Sequence, residues 1–116
     1  MGVPRFRPAS IFENCRDFGR NPSTRPGPAP HLRHGQRAWA IYQHQVATVV
    51  LRELRRRDQR ISELAQQLDV DYDWLIRKIY GRVPADLGEM FEWALVLGVP
   101  VLPVKFGVDE DSAGTE

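Results

Sequence analysis

Two stretches of the sequence repeat one spacing. Ala47, Val50, Leu51 and Leu54, then Ile61, Leu64, Ala65 and Leu68, each fall at i, i+3, i+4 and i+7. That period lays apolar groups along one face of a helix, whereas a half-buried strand alternates them, so the middle of the chain is constrained to be helical. The spacing predicts a first helix over 38–57. Tyr42, Val46 and Val49 widen its stripe beyond what one small core needs, which points to a second contact, such as a partner chain. A short second helix follows and ends at Asp69.

The punctuation around these stripes is chemically consistent. Asp69, Val70 and Asp71 form a turn. Asp71 suits an N-cap because its carboxylate can accept the free N–H groups of a new helix, and a third helix is predicted over 72–80 with Leu75 and Ile79 inward. Gly81 suits the left-handed position just past its end. Asp86 with Glu89 has the pattern of a capping box and opens a fourth helix, with Leu87, Met90, Phe91, Ala94 and Leu95 as one apolar stripe and Gly98 and Pro100 closing it. The apolar Val99, Val101, Leu102 and Val104, interrupted by Pro100 and Pro103, read as an extended strap. The fold class is therefore all-α, a small domain of four to five helices.

Charge and composition divide the rest of the chain. Residues 1–37 hold seven arginines (Arg5, Arg7, Arg16, Arg20, Arg25, Arg33, Arg37) against Glu13 and Asp17, while the formal charge of the whole chain is only +1. The nine basic and nine acidic residues of 38–105 cancel, and Asp109, Glu110, Asp111 and Glu116 make the end of the chain acidic. From Asn21 to Gly35 there are four prolines and almost nothing apolar, too little to offset the entropy of ordering. Residues 1–36 are accordingly expected to be a flexible basic, proline-rich arm, 37–105 the helical domain and 106–116 a disordered acidic tail. Ile11, Phe12 and Phe18 offer the alternative of a short helical or docking segment inside the arm. No apolar run approaches membrane-spanning length, and the single Cys15 excludes an intramolecular disulfide. A cytoplasmic location is expected.

With the helices placed, the stretch from Ile61 to Val99 resembles the Xre-type and phage-repressor family of helix-turn-helix regulators. Glu63, Leu64, Ala65, Leu68, Val70, Leu75, Arg77, Lys78, Ile79, Gly81, Arg82 and Pro84 fall on matching positions, and Ala94 to Val99 is similar to the family's closing run. The resemblance covers about forty residues. It departs at the turn, where Asp69 stands for the usual glycine, and at the head of the third helix, where Tyr72, Asp73 and Trp74 replace the usual small or basic polar residues.

The resemblance implies sequence-specific binding of double-stranded DNA by a repressor-like transcriptional regulator, with the third helix in the major groove and no catalysis. Tyr72, Asp73, Trp74, Ile76, Arg77 and Tyr80 would then face the groove. Arg77 would fork onto a guanine edge or grip a phosphate, and Asp73 would accept from cytosine N4. Lys78 and Arg82 would meet backbone phosphate, joined by Arg60 and Ser62 from the start of the second helix. Arg52, Arg55, Arg56, Arg57 and Arg60 form the densest basic cluster, which also complements a helix C-terminus. The basic arm would lie in a minor groove or along phosphates, or act as a solvated tether. Such regulators read paired half-sites, so a homodimer is expected, built on the first helix and Val99–Val104. The rival reading is a helix-turn-helix scaffold turned into a protein-interaction adaptor, with Tyr72, Trp74 and Trp93 as exposed anchors.

No catalytic residue, metal site or cofactor is expected. His31, His34 and His44 lack an accompanying carboxylate or thiolate pattern. Asp69, Asp71 and Asp73 copy the start of a calcium loop, but Trp74 occupies the glycine position and Tyr80 that of the bidentate glutamate. Cys15 has no base partner, and there is no phosphate-binding glycine loop.

Overall fold

A computed structural model describes residues 6–28 and 31–100. Its helices are α1 (His34–Arg56), α2 (Ile61–Leu68), α3 (Tyr72–Ile79) and α4 (Leu87–Leu97), preceded by two short 3-10 turns at Pro8–Ile11 and Cys15–Asp17. No strand occurs among the described residues, and no helix there is long and apolar enough to cross a membrane. The expected acidic tail and residues 101–104 of the expected strap lie outside the described residues.

All four helices end in one way. A residue with positive φ (Asp58, Asp69, Gly81, Gly98) lets the chain turn back, and the next N–H reaches the carbonyl five residues earlier: Gln59 to Leu54, Val70 to Ala65, Arg82 to Arg77 and Val99 to Ala94, at 2.8–3.0 Å. These bonds satisfy carbonyls that a helix end would otherwise leave bare. The starts are equally defined. Gln36 and Glu63 accept from the N–H groups of Arg33 and Arg60, and Asp71 accepts from Trp74 N–H at 3.0 Å. At α4, Asp86 and Glu89 accept reciprocally from each other's N–H groups. α1 begins at His34, earlier than its stripe predicts, because Arg33 and Gln36 can already close a first turn.

The core is built from Ala47, Val50 and Leu54 of α1, Leu64 and Ala65 of α2, Leu75 and Ile79 of α3, and Met90, Trp93 and Leu97 of α4. Two expectations change here. The fourth-helix stripe splits across two faces: Met90 and Ala94 turn inward with Trp93 and Leu97, while Leu87, Phe91 and Leu95 stand 50%, 42% and 79% exposed. Trp93, expected as a solvent-facing anchor, is only 1% exposed and is the largest fully buried side chain. α4 packs against both α1 and α2, and Trp93 is among the side chains it turns into the shared core.

The larger correction concerns the expected flexible arm. Over residues 6–28 it is a packed layer, with Ile11, Phe12 and Phe18 buried in the same core as the helices. Phe12 and Phe18 pack edge-on, centroids 5.7 Å apart, and both flank the His44 ring of α1 at 4.7 and 5.3 Å. Gly19 N–H donates to His44 Nδ1 at 2.9 Å, and Ala9 N–H to Gly81 O at 2.9 Å. The proline-rich stretch folds back on this layer, with Gly27 N–H donating to Ile11 O at 2.7 Å. The excess apolar width of α1 is thus covered by the chain's own N-terminal layer. Fully burying a large apolar side chain contributes about 1.5–3 kcal/mol, so Ile11, Phe12 and Phe18 offset part of the cost of ordering the layer, a cost that its prolines lower from the unfolded side. Gly81 is required on two counts: its φ is +74°, and a Cβ there would stand 2.8 Å from the Phe18 ring.

Phe18→Ala is expected to cost about 3–5 kcal/mol of unfolding free energy in urea melts, the usual cost of truncating a fully buried Phe; a flexible arm would leave the midpoint unmoved. His44 gives a second test. Burial holds its pKa below the ordinary 6.5, opposed in part by the Asp17 carboxylate and the Asn21 backbone, and its Nε2 is buried without a hydrogen-bond partner. The unfolded chain therefore takes up the proton first. Stability should be level above pH about 6.5 and decline as pH falls below it. Urea midpoints measured from pH 7.5 to 5.5 should show that decline, and His44→Gln should flatten it.

Candidate nucleic-acid interface

α3 is fixed at both ends before anything binds it. Its start is capped by Asp71, and its exit is held by α1. Gln43, wholly buried, donates Nε2 to Lys78 O at 2.6 Å and Val83 O at 3.2 Å, and accepts at Oε1 from Ala85 N–H at 2.9 Å. Trp39 Nε1 donates to Ala85 O at 2.7 Å one turn earlier on α1. Neither residue stands out in sequence, because each sits on α1 as an unremarkable neighbour of the apolar stripe. A buried amide that donates twice and accepts once is specific in direction, and it sets where the α3–α4 loop leaves the helix.

Leu75 and Ile79 anchor α3 in the core, and the opposite side stays open. Tyr72, Asp73, Trp74 and Arg77 are exposed, with Ile76 and Tyr80 partly so. Arg82 follows directly after Gly81 and is exposed, its N–H bonded to Arg77 O at 2.8 Å. Neither Arg77 nor Arg82 has an acidic partner among the described residues.

Lys78 departs from the expectation of a free phosphate contact. Its ammonium forms an ion pair with Glu89 on α4 and stands 3.9 Å from the centroid of the Trp74 ring. With the side chain only 13% exposed, it ties α3 to α4. Trp74 is correspondingly part-covered, at 37% exposed. Arg60 and Ser62 sit at the start of α2, exposed, with no side-chain bond to α3 among the described residues.

The dense arginine cluster at the end of α1 divides in the same way. Arg56 and Arg57 both donate to Glu53, at 2.6 and 2.7 Å, and these hydrogen bonds hold the Glu53 carboxyl down at about 2. Arg57 also donates to Leu97 O, closing the end of α4 against α1. Arg52, Arg55 and Arg60 have no acidic partner among the described residues.

The surface is polar along the helix. Asp69, Asp71 and Asp73 gather at the start of α3, where they complement the positive end of its dipole. Arg77 and Arg82 mark its end, and there the N-terminal layer adds Arg20, whose guanidinium lies 4.3 Å from the Tyr80 ring centroid. The sequence did not signal this last contact, since sixty residues separate the pair. A polyanion approaching α3 would be repelled at one end and drawn to the other. No protein-family model matches the chain, and comparison with curated proteins and with solved structures returns no match.

Proposed function

We propose that this chain binds double-stranded DNA as a repressor-like transcriptional regulator of the cytoplasm, using α2, the Asp69–Asp71 turn and α3 as a helix-turn-helix and placing α3 in the major groove. The observation that supports this reading best is Arg77: an exposed guanidinium without an acidic partner among the described residues, on the outer side of a short helix whose two ends are already fixed. A side chain presented on a rigid element loses little freedom when it forks onto a guanine edge, and such a pair discriminates between bases by about 1–3 kcal/mol. Asp73, one turn earlier on the same side, is suited to accept from cytosine N4. Tyr72 and Trp74 offer their rings to sugars or thymine methyls beside it. Arg82 grips backbone phosphate past the exit of α3, and Arg60 and Ser62 do so from α2.

The homodimer that paired half-sites require is proposed on α4. Leu87, Phe91 and Leu95 recur every four residues, making an exposed apolar stripe on a helix whose other side fills the core. α1, the earlier candidate, is covered by the N-terminal layer. The adaptor reading loses an anchor, because Trp93 is buried.

In fluorescence anisotropy against a selected duplex, Arg77→Ala should weaken the preferred site by about 1–3 kcal/mol and flatten discrimination at one base pair, with the helical circular dichroism retained. Arg82→Ala should weaken all sequences alike and lower the logarithmic salt slope by about one unit, whereas Lys78→Ala should leave that slope unchanged. A folded Arg77→Ala, Arg82→Ala double variant that binds as the wild type does would remove α3 from the interface. Sedimentation velocity at micromolar concentration should find a dimer that Leu95→Glu converts to monomer; a monomeric wild type would refute the α4 interface.

A further inference from the structure

Beside the exit of α3 the N-terminal layer leaves a cleft of about 320 Å³. Its floor is apolar, formed by Phe18 and its neighbours, and four arginines from two distant parts of the chain line it: Arg7, Arg16 and Arg20 from the layer, and Arg82 from the α3–α4 loop. No carboxylate is among the lining residues, and none of the four arginines has an ion-pair partner among the described residues. We propose that this cleft is a phosphate-binding site.

The physical case rests on unneutralised convergence. Like charges drawn together over an apolar floor repel one another more strongly than they would in open water, and an anion between them turns that repulsion into attraction. Guanidinium is also the cation whose paired N–H groups match phosphate oxygens two at a time. One of the four is already held in place. Arg20 lies against the Tyr80 ring and donates Nη1 to Arg16 O at 3.4 Å, so part of the ordering cost is met before a ligand arrives. The remaining three are exposed and free to close on a ligand. This arrangement exists only because the layer is docked: Ala9 N–H bonds Gly81 O and the Phe18 ring covers Gly81, which brings residues 7–20 against the loop that carries Arg82.

The phosphate can come from two sources, a duplex backbone flanking α3 or a free nucleotide. The duplex source rests on the helix-turn-helix reading, while the phosphate chemistry of the cleft does not. The experiment has two arms. In the first, the full chain is titrated with inorganic phosphate while the arginine Nε–Hε signals are followed by NMR, with sodium chloride at matched ionic strength as control. Phosphate should move the signals of Arg7, Arg16, Arg20 and Arg82 saturably and beyond the chloride effect, and Arg16→Glu, a change at an exposed position, should abolish saturation without lowering the melting temperature. Shifts no larger than those in chloride would overturn the proposal.

The second arm compares wild type with Arg7→Gln, Arg16→Gln on random duplex across salt concentrations. A salt slope lower by about two units identifies the duplex backbone as the source. If wild type binds no duplex but binds a nucleoside monophosphate saturably, the DNA reading fails and the cleft stands with a free ligand. If the duplex is bound with the same slope by both proteins and inorganic phosphate does not bind, the cleft fails and the DNA reading stands.

Discussion

A single buried amide fixes the relation between the longest helix and the surface proposed to meet DNA. Gln43 sits in α1 with no exposed surface, and its donors and acceptor are taken by Lys78 O, Val83 O and Ala85 N–H. An apolar residue there would fill the space but leave the exit of α3 free to choose among several paths, because dispersion has no direction. The amide instead specifies one path, and burial makes any other costly, since each unsatisfied group would forfeit about 1–3 kcal/mol. The position of α3, the approach of Glu89 to Lys78 and the place where Arg82 emerges all follow from that choice.

The N-terminal layer adds what four short helices lack. A domain of this size buries a modest fraction of its surface, and each added aromatic counts. Phe12 and Phe18 close the face of α1 that the helices leave open, around an imidazole whose pKa burial lowers. The same docking has an electrostatic consequence. Arginines placed near the start of the chain end up beside the end of α3, so that the basic half of the candidate interface is assembled from both sides of the proline-rich stretch.

Charge is distributed with a consistent logic. Where cations serve structure they are paired: Arg56 and Arg57 with Glu53, Lys78 with Glu89. Of the cations without an acidic partner among the described residues, Arg7, Arg16, Arg20, Arg77 and Arg82 lie around one end of α3, while Arg52, Arg55 and Arg60 stand at the end of α1 and the start of α2. The carboxylates of Asp69, Asp71 and Asp73 occupy the other end, where the helix dipole and the N-cap account for them. This division makes a contact skewed toward the C-terminal half of α3 the electrostatically favoured one.

Local chemistry made much of this legible in the sequence. The period of apolar residues marked each helix, Asp71 and the Asp86–Glu89 pair marked two starts, and Asp69, Gly81 and Gly98 marked three ends, because capping and positive φ are decided by residues within a few positions of one another. The pairing of Lys78 with Glu89 and the burial of Trp93 lay beyond that local reach. For both, the deciding neighbour lies on another helix, and an amphipathic stripe drawn from one helix alone does not say which side a partner will cover. Likewise, Ile11, Phe12 and Phe18 announced themselves as apolar, yet whether they dock depends on the open face of α1 and on a glycine, Gly81, about sixty residues away. Sequence determined the four α-helices and most of their ends through short-range hydrogen bonding and period. Tertiary structure alone decided which charges were neutralised, which aromatics were buried and which arginines converged, because those outcomes are set by distances between residues far apart in the chain.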